Sequence, residues 1–244
     1  MASDRQPDSP PDDRRSDRPA DDGAADHGAA APSGPPRFDA AFRRQLAQLF
    51  AWRRDVRRFR TDPLPEGTLD ALIREATLAP SVGYSQPWRF VTVRDPDRRA
   101  AIVANFERRN AEALSAYTGA RAEAYAGLKL SGLREAPEHL AVFAAETTER
   151  GHGLGRQTMP ETLRYSVVTA VYTFWLAARA EGIGVGWVSI LDPEEVRRAL
   201  EVPESWTLVA YLCVGYPLEE HGDPELARHG WEVRADDAEV VVRR

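Results

Sequence analysis

Residues 160–190 read PETLRYSVVTAVYTFWLAARAEGIGVGWVSI, and their reading decides the fold class. Pro160 suits the first turn of a helix, where its missing N–H has no intrahelical partner to lose. The helix it predicts runs to Glu181-Gly182. Tyr165, Val167, Val168, Val171, Phe174, Trp175 and Leu176 cover nearly every face of it. A helix that is apolar all round is buried on all sides, and a second subunit is one way to bury it. After the glycine break, Gly184 to Ile190 reads as a strand.

The flanking segments extend this pattern. Phe42, Leu46, Leu49 and Phe50 recur at helical spacing and deliver Arg53 to Arg57 at the end of an amphipathic helix. Thr61-Asp62-Pro63 breaks the chain. Leu69, Leu72, Ile73 and Ala76 predict a second helix that stops before Pro80. Residues 81–87 read as a loop and Trp88 to Val93 as a strand closed by Asp95-Pro96. Asp97 to about Ala136 reads as helical, interrupted near Gly119. His139 to Ala145 predicts a short strand, and Glu149 to Met159 a Gly-rich, mobile connection. Pro193 to Leu200 predicts a short helix, and Trp206 to Val214 a core strand. Helices and strands are mixed without regular alternation, which argues for α+β and against a doubly wound sheet.

Residues 1–37 contain no aromatic side chain and are dominated by Pro, Gly, Ala, Asp and Arg. Such a segment cannot bury enough surface to offset its ordering entropy, so it is expected to be disordered. The folded domain is expected over residues 38–244. The formal net charge of -6 gives no electrostatic footprint for nucleic acid. Cys213 is the only cysteine, so no intrachain disulfide can form. No apolar run reaches the length of a membrane helix, and the N-terminus lacks the apolar stretch of a secretory signal. These readings predict a cytoplasmic protein. No histidine lies at i, i+4 from another histidine or from a cysteine, so no zinc pattern is present, and no metal is expected.

Four segments carry candidate chemistry. Trp52 to Phe59 clusters arginines around one acid, Asp55. Guanidinium groups offer a planar fork of donors that matches a phosphate, but a phosphate site has no need of an anion. A solvated helix end is the plain alternative. Ala79 to Trp88 contains Ser81, Ser85 and Gln86, whose hydroxyls and amide suit the polar edge of a flat heterocycle. An ordinary helix–strand connection would look similar. Gly182 to Ile190 has alternating glycines that let backbone approach a planar ligand, or simply cap a helix and enter a buried strand. Gly151 to Thr162 is a glycine-rich candidate lid, or a flexible connection.

Together these segments resemble the flavin-binding nitroreductase superfamily, and more closely its 5,6-dimethylbenzimidazole synthase branch. The run Arg53-Arg54-Asp55-Val56-Arg57 is similar to that branch's signature, whereas general nitroreductases usually carry Ser at the Asp55 position. Pro80 to Trp88, Gly153 to Ser166, Trp175 to Ser189 and Tyr211 to Pro217 are also similar. The resemblance spans about residues 40–235.

It implies a nitroreductase-like α/β sandwich forming an intertwined homodimer, with active sites at the interface. It implies a reaction of reduced FMN with O2 in which the flavin is the substrate and is consumed. The products are 5,6-dimethylbenzimidazole and erythrose 4-phosphate. NAD(P)H would enter only through a separate flavin reductase.

The resemblance also assigns roles. Arg53 and Arg57 hold the phosphate and ribityl end, with Arg54 beside them. Ser81, Ser85 and Gln86 line the ring from the other subunit. Val56 and the stretch Gly186, Trp187, Val188, Ser189 pass the flavin. Lys129 offers a cation to anionic reduced flavin, and Arg234 a further phosphate contact. Asp55 is the expected base for the first ribityl carbon, held ionised by its arginines. Ser189 is expected to steer the oxygen chemistry. Two other readings stand beside this one: an NAD(P)H-dependent nitroreductase or flavin oxidoreductase, and a flavin-binding protein without turnover.

Overall fold

The elements form where local chemistry starts and stops them. The computed structural model describes residues 34–236 and 240–244, so residues 1–33 of the expected tail lie outside the described residues. In chain order the elements are α1 (Ala40–Trp52), α2 (Thr68–Ala76), β1 (Trp88–Thr92), α3 (Pro96–Ser115), α4 (Gly119–Ala126), β2 (Glu138–Ala145), α5 (Thr162–Ala180), β3 (Gly184–Val188), α6 (Pro193–Ala199), β4 (Trp206–Gly215) and α7 (Glu225–Arg228). Asp39 caps α1, accepting from the Phe42 amide at 2.7 Å, and Asp95 caps α3 through the Arg98 amide at 2.9 Å. Gly182 ends α5 in the left-handed region at φ 71°. Its N–H donates to Arg179 O and that of Ile183 to Ala178 O, the double closure that lets a glycine stop a helix.

The four strands form one sheet in the order β1-β2-β4-β3, antiparallel at every pairing. Both faces are covered, so β2 is buried from His139 through Ala145 and reads as a continuous apolar run. On one face Leu140, Val142, Val185, Leu212 and Val214 pack with Leu72 of α2 and with Val171 and Phe174 of α5. On the other face Ala141, Phe143, Tyr211 and Cys213 pack with Ile102 of α3, Val196 of α6 and Phe59. Each fully buried Val, Leu, Ile or Phe contributes about 1.5–3 kcal/mol, so these two layers hold the domain together. The architecture is α+β, with helices on both sides of an antiparallel sheet.

Several sequence expectations need correction. α5 starts at Thr162, two residues after Pro160, because Thr162 and Leu163 N–H close short turns onto Met159 O and Pro160 O. Within one chain α5 is not buried all round. Tyr165, Val168 and Tyr172 form an exposed stripe at helical spacing. α1 buries no residue despite its amphipathic pattern. β3 ends at Val188 rather than Ile190. Asn105 of α3 exchanges two hydrogen bonds with the Asp192 backbone, at 3.1 and 2.8 Å, and ties the following turn to α3. Residues 127–136 are not helical after α4. Gly132 there lies against Phe59, where a Cβ would come within 2.4 Å of the ring.

Candidate active site

The arginine run leaves α1 and joins the edge of the sheet. Val56 N donates to Val185 O at 3.0 Å. Asp55 forms a parallel bridge with Val185, and Phe59 an antiparallel one with Pro217. Phe59 is buried and anchors the run in the core. The glycines of β3 make this docking possible. A Cβ on Gly184 would lie 2.9 Å from Val56 Cγ2, and one on Gly186 would lie 2.0 Å from Val56 O. These glycines therefore admit the Asp55 run itself, a close approach of the chain's own backbone.

The Asp55 carboxylate is held on both oxygens. Oδ1 accepts from the Trp187 amide at 2.8 Å. Oδ2 accepts from Arg57 Nε at 3.0 Å, and Arg57 Nη2 forms an ion pair with it at 3.0 Å. Arg57 Nη1 donates to Lys129 O at 3.2 Å. The Arg57 side chain is 12% exposed and that of Asp55 is 33% exposed. Burial raises the Asp55 pKa above the ordinary carboxylate value, against the opposing pull of Arg57, the Trp187 amide and Arg53. The arginines favour the ionised form, as the sequence leads one to expect, and burial opposes them with the larger effect. A third of the side chain still reaches solvent, so the penalty comes from low-dielectric surroundings rather than full enclosure. A carboxylate whose ionised form is penalised is a stronger base than a free one.

Arg54, Arg57 and Arg58 of the run line a cleft with Trp52, Asp55, Trp175, Arg179 and Arg228, and with the acids Glu219, Glu220, Asp223 and Glu225. Arg53 lies over the Trp175 ring at 4.8 Å, and it has no carboxylate partner among the described residues. Arg54 donates to Arg53 O at 2.8 Å and to Gly222 O, and its Nε is buried without an acceptor. Its pKa is lowered by burial and by Arg53, Arg179 and Arg228 nearby, against the pull of Asp223, and Arg179 and Arg228 are themselves paired with Glu220 and Asp223. Arg58 is paired with Glu225 in the lining of the same cleft. Trp175 and Arg179 were not read from the sequence as site residues. They stand one turn apart on α5, and Trp175 Nε1 also donates to Arg54 O at 3.1 Å. Their i, i+4 spacing in an otherwise apolar helix was the available signal.

Of the remaining expected residues, Val56, Trp187 and Val188 adjoin Asp55 or pack beneath it. Ser189 follows β3, is exposed, and has no hydrogen-bond partner among the described residues. The Lys129 ammonium is paired with Glu135 at 2.6 Å, so it reaches the site through its backbone carbonyl. Arg234 is exposed and makes no ion pair among the described residues.

Ser81, Ser85 and Gln86 sit elsewhere in the chain. They precede β1 at the opposite edge of the sheet from Asp55, and at its opposite end. Trp88 pairs with Ala144, whereas Val185, beside Asp55, pairs with Val214 and so lies level with Glu138. Four strand spacings of roughly 4.8 Å separate the two edges. Ser81 Oγ accepts from Gln86 N at 3.0 Å. Ser85 is 2% exposed and its hydroxyl has no partner among the described residues.

Among the described residues no group of His, Cys, Asp or Glu could hold a metal ion, and no helix is long and apolar enough to cross a membrane.

The nitroreductase family model matches residues 50–216, from the end of α1 through β4. A 5,6-dimethylbenzimidazole synthase of Rhodospirillum rubrum is 59% identical over 86% of this chain and 98% of that protein. Another of the same name, from Rhodobacter capsulatus, is 49% identical over 80% of this chain and 94% of that protein. Among solved structures, an iodotyrosine deiodinase bound to FMN and 3-iodo-L-tyrosine is 29% identical. It matches with a TM-score of 0.62 over 72% of this chain and 91% of that one. The chain belongs to the nitroreductase family, and within it is similar over most of its length to enzymes named 5,6-dimethylbenzimidazole synthase.

Proposed function

We propose that this enzyme converts reduced FMN and O2 into 5,6-dimethylbenzimidazole and erythrose 4-phosphate, with the pyrimidine part of the ring leaving as a separate fragment and the flavin consumed as substrate. The observation that carries the reading is the Asp55 carboxylate. It is made more basic by burial, fixed by Trp187 and Arg57, and set at the wall of a cleft crowded with arginines. The relatives named as synthases supply the reaction class. The chain's own residues suit the ligand. Arg53 without a carboxylate partner and the unsatisfied Arg54 Nε are donors that a phosphate would satisfy.

In this reading Arg53 and Arg54 bind the phosphate. Asp55 removes a proton from the first ribityl carbon. Ser189, exposed at the end of β3, orients the oxygen-reactive part of the ring. Bound reduced FMN supplies the electrons for O2 and the ring system from which the product is cut. A separate flavin reductase using NAD(P)H delivers it.

The active form is a homodimer with sites at the interface. The exposed apolar stripe of α5 supports this, as do Phe50 and Trp52 exposed on α1. Ser81, Ser85 and Gln86 then line the ring from the second copy, since one chain holds them at the far corner from Asp55.

The test mixes the full chain with excess chemically reduced FMN in air and follows products by mass spectrometry. Dimethylbenzimidazole is the expected result. Intact FMN with rapid NADPH oxidation would instead make the chain a conventional flavin oxidoreductase. Intact FMN with neither would make it a flavin-binding protein without turnover.

A further inference from the structure

The stretch that follows β4 walls the Asp55 cleft on one side, through Glu219, Glu220, Asp223, Glu225 and Arg228. None of residues 216–236 is fully buried, so this wall has no core of its own. On the cleft side it is held by ion pairs: Arg58 with Glu225, Arg179 with Glu220, and Arg228 with Asp223. Partly exposed pairs of this kind contribute little each and weaken with salt. Away from those pairs it is held by an aromatic anchor, Trp231. The Trp231 backbone N–H donates to Leu226 O of α7 at 2.9 Å, which ties the anchor to the helix that carries Glu225 and Arg228.

Trp231 reaches the α3–α4 hairpin, which lies far earlier in the chain. Its ring meets Tyr117 edge-on at 5.6 Å and Tyr125 of α4 at 6.0 Å, and the two tyrosines stack at 5.0 Å. Arg121 lies over the indole at 4.9 Å and donates to Trp231 O at 3.1 Å. Tyr125 is the buried residue of α4, and its hydroxyl donates to Asn110 Oδ1 of α3 at 2.8 Å. Rings in these geometries with a cation over the indole combine buried area with quadrupole attraction. The cluster therefore outweighs any one of the partly exposed ion pairs.

We propose that Trp231 is a positioning residue that clamps the wall of the Asp55 cleft to the α3–α4 hairpin and so holds the wall shut over a bound flavin. The inference rests on reduced flavin reacting in that cleft. A wall held shut keeps water from the flavin while O2 reacts and keeps the flavin in place. With the wall loose, reduced FMN passes two electrons and two protons to O2 and leaves as oxidised FMN and hydrogen peroxide, without being cut.

The test compares Trp231→Ala and Trp231→Phe with wild type in the full chain. Hydrogen exchange, the release rate of oxidised FMN, and the ratio of dimethylbenzimidazole to hydrogen peroxide formed from reduced FMN in air are measured. In Trp231→Ala the amides of residues 219–228 and of α4 exchange roughly tenfold faster while β2 and β4 keep their protection, as in a local opening. Oxidised FMN leaves roughly tenfold faster, and the product ratio shifts toward peroxide by a similar factor. Trp231→Phe keeps a ring against Tyr117 and Tyr125 and restores most of each readout. Arg121→Ala, at an exposed position, gives the same changes at smaller amplitude and carries the test if Trp231→Ala does not fold.

Unchanged exchange at residues 219–228 in Trp231→Ala would overturn the clamp. Faster exchange there, with wild-type FMN release and product ratio, would overturn its role over the cleft. A wild-type chain that forms no dimethylbenzimidazole would sink the reading of the reaction, and the clamp would then stand or fall on exchange and FMN release.

Discussion

At the β3 edge the Asp55 run is satisfied and braced: a backbone bond to Val185, two held carboxylate oxygens and a buried Phe59 fix it in place. At the far end of β1 the opposite holds. Tyr84, Gln86 and His152 sit in the left-handed region at φ 56°, 48° and 48°, and the Ser85 hydroxyl is buried with no partner among the described residues. Such backbone costs of order 1–3 kcal/mol per residue and persists where surrounding structure enforces it. The two turns enforce each other: a Cβ on Gly151 would lie 2.5 Å from Gly83 O. One corner is finished within a single chain, and the other stores strain and an unmade hydrogen bond. That contrast fits a site completed between two copies, with chemistry set by the braced corner and ring contacts by the strained one.

The largest effect should come from the braced corner. Asp55→Asn is expected to lower dimethylbenzimidazole formation by about 10²–10⁴-fold, the usual worth of a general base, while oxidised FMN still binds. Wild-type yield in a product assay would remove Asp55 from the chemistry. Gly186→Ala should come next. Its Cβ would meet Val56 O at 2.0 Å, so the run must leave β3, at a cost of about 3 kcal/mol or more in urea denaturation. An unchanged midpoint would show that the run is not braced there.

The buried His139 calibrates both corners against the core. Its Nδ1 meets the Tyr211 hydroxyl at 3.0 Å, and burial lowers its pKa to about 4. The unfolded chain takes up this proton from about pH 6.5 downward and the folded chain only near 4. Stability is therefore full above pH 6.5 and falls by about 3 kcal/mol on acidification toward pH 4. His139→Phe should flatten that part of the curve in pH-dependent denaturation, and an equally steep curve would exclude His139 as its source. The smallest effect belongs to the strained corner. Ser85→Ala removes a hydroxyl that is buried without a partner, so it should leave stability equal or raise it by up to about 1 kcal/mol. A clear loss would reveal a bond that Ser85 makes in the assembled protein.

The sequence made some of this legible and hid the rest for physical reasons. The acid among arginines was visible because charge pattern is local. The four strands and the capped helices were visible because hydrophobic period and cap residues are local as well. The raised proton affinity of Asp55 was not, since it arises from the tertiary burial of a side chain that looks solvated in the linear run. The alternating glycines announced a close approach, but only the Asp55–Val185 bridge says that the approaching backbone is the chain's own. The helical reading of residues 127–136 failed because Lys129 O and Gly132 are engaged by Arg57 and Phe59, more than seventy positions earlier. The exposed stripe of α5 hides inside an all-apolar pattern that cannot distinguish core from interface.

The central claim is that Asp55 acts on the sugar chain of a flavin that the enzyme destroys. A crystal structure of the full chain with oxidised FMN tests it most directly. The account predicts the Asp55 carboxylate directed at the first ribityl carbon, within reach for proton transfer. An Asp55 carboxylate turned from the ribityl chain toward bulk water would contradict it.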